Sequence, residues 1–414
     1  MLLDVLRFAR DTVPFHRARI PSAVDRVSES DVHRLLLDVP PMTKDDLRER
    51  FDLLWSTAVP SWRRRTVRTG GSTGAPVPIG LERGGSVVEW AFITSIWGAI
   101  GFRPGERRLM VRGLALHGDV TRERPLLDEL QLSAFHLSDQ HLRSAWARIR
   151  AYRPRWLHGY PSAVITLLLW DPEAVESLGV RGVLAGSEPM QPWQRRLVAD
   201  RLGVPIAHWY GHSERVLLGD QCPTNQAFHL FPRYGHAEVI RPDGTPAGPG
   251  EEGELIGTGL LNRAMPLIRY RTEDLAVMDE AGCSGCGRSF QMVASVRPHR
   301  RQEFLIGRSG GPISVAAINF HDGSLAGVAG LQYVQDVPGS AALRLQAGSA
   351  LDPSAIAGIG AALESKFAGE LSVRITQVES LERQPSGKVP LVIQRASVAD
   401  TRMRRLVHPE AGPR

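Results

Sequence analysis

Short apolar runs at 109–111, 183–185 and 205–207 each lead into a polar turn containing glycine, and stretches with helical spacing lie between them. Alternation of this kind predicts α/β architecture with buried strands. Ligand sites in such folds lie at the turns that follow the strands. Ser138 is the N-cap of a helix that should reach Tyr152, with Leu142, Trp146 and Ile149 on one face and Pro154 as its stop. Thr43 caps another helix over 45–51. From Ala237 the pattern becomes strand, turn, strand: 237–240, a Pro-Asp-Gly turn at 242–244, then 253–256. That change predicts an antiparallel or barrel-like subdomain.

At 414 residues the chain exceeds what one hydrophobic core ordinarily serves, so two domains are expected. The boundary falls near 297–303 and gives domains 1–299 and 300–414. In the second, strands at 341–345 and 371–375 flank a helix over 353–367, a small α+β pattern. With 43% hydrophobic and 23% charged residues the chain is globular. It holds no apolar run of about twenty residues, so no membrane span is expected. The first ten residues have helical spacing and too much charge for a secretory signal, which predicts a cytoplasmic protein. The net charge is +6, but acidic residues are interspersed and no aromatic–basic recognition motif stands out. Nucleic acid is therefore not an expected partner; an electropositive cleft for a polyanionic nucleotide is.

Residues 69–76 read Thr-Gly-Gly-Ser-Thr-Gly-Ala-Pro, after Arg63, Arg64, Arg65 and Arg68. Glycine lets backbone N–H groups approach an oxyanion closely, and Ser72 and Thr73 add hydroxyl donors. The loop suits the outer phosphates of a nucleotide, although it lacks the spacing and lysine of a Walker A loop. Only Lys44, Lys366 and Lys388 are lysines, against 47 arginines. Lys388 stands in a Gln-Pro-Ser-Gly-Lys turn, where a compact ammonium on a flexible stem can reach a crowded reacting centre.

The three cysteines are Cys222, Cys283 and Cys286. The last two form Cys-Ser-Gly-Cys, a turn that can aim two thiolates at one metal. A strand pairing could bring Cys222 and His229 to that turn and close a tetrahedral structural zinc site. His236 is the alternative fourth ligand, and a Cys-x-x-C pair can also be redox-active.

Taken together, these segments resemble the adenylate-forming ligases, in their phenylacetate–CoA ligase-like branch. The resemblance spans nearly the whole chain, with parts in family order: 69–76, His-Gly-Tyr-Pro-Ser at 158–162, Gly-Ser-Glu-Pro at 186–189, Tyr-Gly-His-Ser-Glu at 210–214, the run 262–274 ending in Asp274, and Ser-Gly-Lys at 386–388. Val-Pro-Phe-His-Arg at 13–17 and Pro-Met-Thr-Lys at 41–44 also look like that branch. It implies a large N-terminal adenylation domain of packed sheets with helices, and a mobile C-terminal lid. It implies ATP-dependent activation of a carboxylic acid as an acyl-adenylate with release of pyrophosphate. Transfer to a thiol of CoA or a carrier protein then releases AMP; an amine or hydroxyl acceptor would give an amide or ester.

By the same resemblance Glu214 serves Mg²⁺, Tyr210 offers its face to adenine, and Asp274 accepts from the ribose hydroxyls. Thr69, Gly71, Ser72, Thr73 and Gly74 clasp ATP phosphates, and Lys388 bridges the reacting groups. Glu188 lies beside adenine, where its neighbouring backbone is expected to matter more than its carboxylate. Arg300 is the preferred hinge residue, with Gly307-Arg308 as the other alignment. Branch members also carry a metal knot like that of Cys222, His229, Cys283 and Cys286. A homodimer is compatible with this reading. Gly70, Val77 and Glu273 depart from the family pattern, which has Ser, Lys and Gly there. Those departures, with His158 and Tyr160, look more like ligases of polysaccharide or secondary-metabolite clusters. Drifted motifs would also suit a nucleotide-binding relative without catalysis, but such a binder need not keep Glu214, Asp274 and Lys388.

Overall fold

The structure is a computed structural model that describes residues 1–68, 77–116, 118–280, 282–297, 303–318, 320, 325, 327–384, 389–396 and 406. Residues 69–76, Arg300 and Lys388 lie outside the described residues. The chain forms two compact units: one takes Met1–Thr69, Val77–Ile96 and His208–His299, and the other includes Trp97–Ala207 and Arg300–Arg414. Residues 300–414 thus group with 97–207.

The first unit is built on antiparallel strands. Gly235–Ile240, Glu252–Gly259, Tyr270–Met278, Gln291–Arg297, Phe228–Leu230, Leu218–Gln221 and Ile206–Gly211 lie side by side in that order. The predicted strands at 237–240 and 253–256 lie within two of them, and Gly244 takes a φ of 85° in the turn between. A second pair, Arg64–Arg68 with Pro78–Glu82, flanks the loop 69–76. Thr43 caps the helix Lys44–Glu49 in a reciprocal box with Asp46, and the helix ends two residues earlier than the spacing suggested. The amphipathic helix Leu2–Thr12 buries Leu2, Val5, Leu6 and Ala9 in a separate small core with Leu35, Leu36 and Ile268.

The second unit holds parallel strands Gly182–Gly186, Trp156–Gly159, Arg108–Arg112 and Glu129–Ser133, in that order. The antiparallel strand Thr121–Arg124 forms its edge. Ser138 caps the helix Asp139–Tyr152, which ends at Arg153 in the left-handed region just before Pro154. Its buried face is Leu142, Ala145 and Ile149, with Trp146 packed half-buried beside them. In the C-terminal part, strand Ser340–Ala347, helix Pro353–Phe367 and parallel strand Ser372–Val378 form a βαβ crossover. Phe135 meets Phe367 edge to face with centroids 5.3 Å apart, inside one core that draws on both 109–198 and 304–371. Among the described residues no helix is long and apolar enough to cross a membrane.

Candidate functional site

Two carboxylates of the first unit, Glu214 buried and Asp274 half-buried, are each held by a tyrosine hydroxyl. Tyr210, at the end of strand Ile206–Gly211, donates to Asp274 Oδ2 at 2.7 Å. Tyr270, at the start of strand Tyr270–Met278, donates to Glu214 Oε1 at 3.0 Å. His212 Nδ1 lies 3.3 Å from Glu214 Oε2, an ion-pair distance without hydrogen-bond alignment. Burial alone would raise the Glu214 carboxyl. His212, its own backbone N–H and the Tyr270 hydroxyl outweigh burial and hold it down at about 2. Glu214 is therefore ionised at neutral pH and offers a hard oxygen of the kind magnesium takes. Burial, then the Asp274 charge, pushes the Tyr210 phenol well up, so it stays a neutral donor. The sequence assigned no role to Tyr270 or His212. The available signal was a hydroxyl-bearing residue four before Asp274 on one strand.

Asp274 sits at a break in the strand register. Glu254 pairs with Leu275 and Ile256 with Arg271, so the single residue Leu255 faces Thr272, Glu273 and Asp274. This bulge turns through Glu273, whose φ is 64°. A side chain there costs about 1–2 kcal/mol that glycine would not. Bulges of this kind re-aim a side chain.

Much of what looked like a family signature is scaffolding for this strand. His16 is fully buried and hydrogen-bonds the Pro266 carbonyl through Nε2 at 2.9 Å, and burial lowers its pKa to about 4. The buried Arg269 guanidinium reaches Glu238 and the carbonyls of Leu37 and Val39 at 2.8–3.0 Å. Met42 exchanges backbone hydrogen bonds with Arg269 and Arg271 at 2.8 and 2.9 Å. Asn262 ties the segment to strand Pro78–Glu82 through Gly80 and Glu82. A Cβ at Gly80 would meet the Trp55 ring at 2.6 Å.

In the second unit, Gly-Tyr-Pro-Ser carries strand Trp156–Gly159 into helix Pro161–Trp170, with proline at its first turn. Glu188 is buried; it accepts from the Ser162 backbone N–H at 3.1 Å and the Ser314 hydroxyl at 2.5 Å. Its carboxylate is thereby engaged with the start of that helix, where the dipole favours negative charge. Ser187 before it has a φ of 69°.

The sulfur and imidazole donors converge on one point of the first unit. Cys222 follows strand Leu218–Gln221, His229 is on Phe228–Leu230, and Cys283 and Cys286 lie between Tyr270–Met278 and Gln291–Arg297. Their donor atoms all lie within 4.8 Å of one another. Cys222 Sγ is 3.7 Å from Cys283 Sγ, and Cys286 Sγ is 3.5 Å from His229 Nε2. Zinc bonds of about 2.3 Å to sulfur and about 2.0–2.1 Å to nitrogen, arranged tetrahedrally, require edges of about 3.8 and about 3.6 Å. The donor set fits. Each cysteine turn is closed by backbone bonds, Cys222 N–H to the Ala227 carbonyl at 2.7 Å and Cys283 N–H to the Arg288 carbonyl at 2.8 Å. Gly285 lets the two turns touch, since a Cβ there would lie 2.1 Å from Thr224 Oγ1. Burial opposes the Cys222 thiolate, but Thr224 and nearby backbone N–H groups bring the thiol down to about 7. His229 Nδ1 faces the Asp220 carboxylate at 3.9 Å. His236 is not in the group: its ring lies 4.7 Å from His33, and burial lowers its pKa to about 4.

No protein-family model matches the chain. It is 27% identical over 338 residues to the phenylacetate-coenzyme A ligase of Thermus thermophilus, covering 77% of this chain and 71% of that protein. The Escherichia coli phenylacetate-coenzyme A ligase is also 27% identical, over 336 residues, 76% of this chain and 71% of the relative. Protein CapK of Staphylococcus aureus is 21% identical over 252 residues, 57% of this chain and 52% of CapK. A crystal structure of 2-hydroxyisobutyryl-CoA ligase superposes with a TM-score of 0.60 at 17% identity, over 100% of this chain and 91% of that one. That likeness carries the fold, and the longer sequence matches carry the kinship. These matches support the adenylate-forming superfamily, in its phenylacetate–CoA ligase-like branch, as the family of this chain.

Proposed function

We propose that this chain is a ligase that activates a carboxylic acid with ATP and passes the acyl group to the thiol of CoA. The observation that carries the reading is the pair of tyrosine-braced carboxylates, Asp274 with Tyr210 and Glu214 with Tyr270. The relatives named phenylacetate-coenzyme A ligase support the same chemistry and a CoA acceptor.

In the first half-reaction a carboxylate oxygen of the acid attacks the α-phosphorus of ATP. A P–O bond forms, the bond to the β-phosphate oxygen breaks, and pyrophosphate leaves. In the second, the thiolate attacks the acyl carbon, and AMP departs with the mixed-anhydride oxygen. Asp274 binds the ribose hydroxyls and Tyr210 keeps that carboxylate aimed. Glu214, anionic at working pH, would hold Mg²⁺, which supplies charge neutralisation at the phosphates. By resemblance, the donors of Thr69, Gly71, Ser72, Thr73 and Gly74 hold the phosphates, and Lys388 serves the adenylating step. The engaged carboxylate of Glu188 leaves the adjacent turn at 186–189 to face adenine. Residues 300–414 act as the lid, with Arg300 at the hinge.

A structural Zn²⁺ belongs to Cys222, His229, Cys283 and Cys286. Four protein donors would complete the coordination of such an ion and leave no position for water, so its role would be structural rather than catalytic. Three thiols kept for a metal suit a reducing compartment such as the cytoplasm.

Carboxylate-dependent release of pyrophosphate, measured across aryl, fatty and amino acids, tests the activity. No release with any acid from folded, metal-replete protein would overturn it. Lys388→Ala should abolish adenylate formation while leaving transfer from a supplied acyl-adenylate. Lys388→Arg keeps the charge but changes its shape, and should still lose about two orders of magnitude, about 2.7 kcal/mol of transition-state stabilisation. Near-normal adenylation by Lys388→Arg would remove Lys388 from the reacting centre.

A further inference from the structure

We propose that the ion pair between Lys44 and Glu273 is a positioning device that fixes the direction in which Asp274 presents its carboxylate. The proposal rests on the reading of Asp274 as the ribose contact. It starts from the backbone. Residue 273 must take a left-handed conformation for the bulge to form, and in this chain it carries a side chain rather than glycine. The backbone bonds at the bulge are modest. Glu273 N–H reaches Glu254 Oε1 at 3.3 Å, and Asp274 N–H reaches Thr272 Oγ1 at 3.1 Å. The Thr272 hydroxyl in turn donates to the Leu255 carbonyl at 2.6 Å. None of these holds the Glu273 side chain. Lys44 Nζ does, 2.5 Å from Glu273 Oε2.

Lys44 is itself firmly mounted. It is the first residue of helix Lys44–Glu49, directly after the Thr43 capping box, and Met42 is hydrogen-bonded on both sides to the strand that carries Glu273. Cation and bulge are thus stapled together through 42–44, so the ammonium restrains the bulge rather than following it. The two side chains are 20% and 41% exposed. Half-exposed pairs contribute little to global stability, so the consequence of breaking this one is local: Glu273 relaxes toward an ordinary φ, and Asp274, the next residue, turns with it. The device also accounts for one of three lysines in a chain of 47 arginines.

The mechanism makes glycine and lysine interchangeable solutions, which gives the test. In Lys44→Ala, hydrogen exchange at the Glu273 and Asp274 amides should quicken about tenfold. The preference for ATP over 2′-deoxy-ATP in pyrophosphate release should shrink by a similar factor, while KM for the acid stays unchanged. Glu273→Gly should leave both readouts near wild type. The double variant Lys44→Ala/Glu273→Gly should recover what Lys44→Ala lost. Unchanged amide exchange in Lys44→Ala would overturn the proposal, as would a double variant no better than Lys44→Ala. If the wild-type enzyme does not distinguish the two nucleotides, the ribose role of Asp274 fails instead, and amide exchange alone decides whether Lys44 holds the bulge.

Discussion

In the knot spanning 222–286, four donor atoms lie within 4.8 Å of one another; around Tyr210 and Tyr270, each of two carboxylates accepts from one tyrosine hydroxyl. Both centres are built on the same run of antiparallel strands, at different members of it. In the knot, every donor is expected to be spent on a metal, and two closed backbone turns hold the cysteines where zinc geometry needs them. At the carboxylates, one oxygen of each accepts from a tyrosine hydroxyl, a contact that fixes direction. A saturated metal centre would stabilise the fold, whereas carboxylates held in a fixed direction would serve a ligand. If that distinction is right, damage to the knot should appear in stability and damage to the carboxylates in turnover.

The largest effect expected is in the knot. Removing the metal with a strong chelator, or replacing Cys222 by serine, should cost on the order of 4 kcal/mol of stability, because metal binding free energy is folding free energy. Adenylation per folded molecule should persist. Metal analysis of gently purified protein should find about one equivalent of zinc. Less than half an equivalent, or melting that a chelator leaves unchanged, would erase the contrast.

Glu214 blurs the comparison, because its ionisation also contributes to stability. Its carboxyl is held at about 2 in the folded protein against an ordinary 4.5. A depressed carboxyl stabilises the fold fully above the unfolded value, and the contribution disappears as pH falls from about 4.5 toward 2. The size is on the order of 3 kcal/mol. The stability gap between wild type and Glu214→Gln should therefore be constant from pH 6 to 8 and narrow below pH 4.5. A gap that persists at pH 3 would mean that packing, not charge, is what the glutamate supplies.

Asp274→Asn sharpens the contrast from the other side. It keeps shape but replaces one acceptor oxygen with a donor, and should raise KM for ATP by about thirtyfold with little change in melting. Isothermal titration with AMP against adenine alone would locate the loss: binding of AMP should weaken and that of adenine should not.

How far each centre could be read in advance follows from what its geometry depends on. The clustering of Cys222, His229, Cys283 and Cys286 was legible because thiol and imidazole donors stand out by residue type, and Cys283-Ser-Gly-Cys286 places two of them close by spacing alone. Choosing His229 over His236 required the strand pairing Phe228–Leu230 with Leu218–Gln221, which no local pattern states. The helix at Pro353–Phe367 and the strands around Val183 and Leu343 were legible from periodicity and breakers. The grouping of 300–414 with 97–207 was not, since it depends on tertiary contacts such as Phe135 with Phe367. Glu273 read as a motif defect; only its φ explains why glycine suits that position. His16 and Arg269 read as signature residues, and their bonds show that they hold backbone.

The smallest effect should come from the brace itself. Tyr210→Phe removes one hydroxyl and keeps the ring, so the aromatic face remains while Asp274 loses its 2.7 Å donor. A hydrogen bond to a charged group contributes about 1.5–3 kcal/mol, and water entering the site of a bound nucleotide recovers part of it. About tenfold in KM for ATP is therefore expected, with kcat nearly unchanged, because aiming a ribose contact affects binding more than the displacement at phosphorus. Tyr210→Leu removes hydroxyl and ring together and should lose more, the difference measuring the ring's contribution. Equal losses in the two variants would show that the hydroxyl carries the whole effect and that the ring does not meet adenine. No loss in Tyr210→Phe would show that Asp274 keeps its direction from the bulge alone, and the brace would then belong with the knot as a feature of stability.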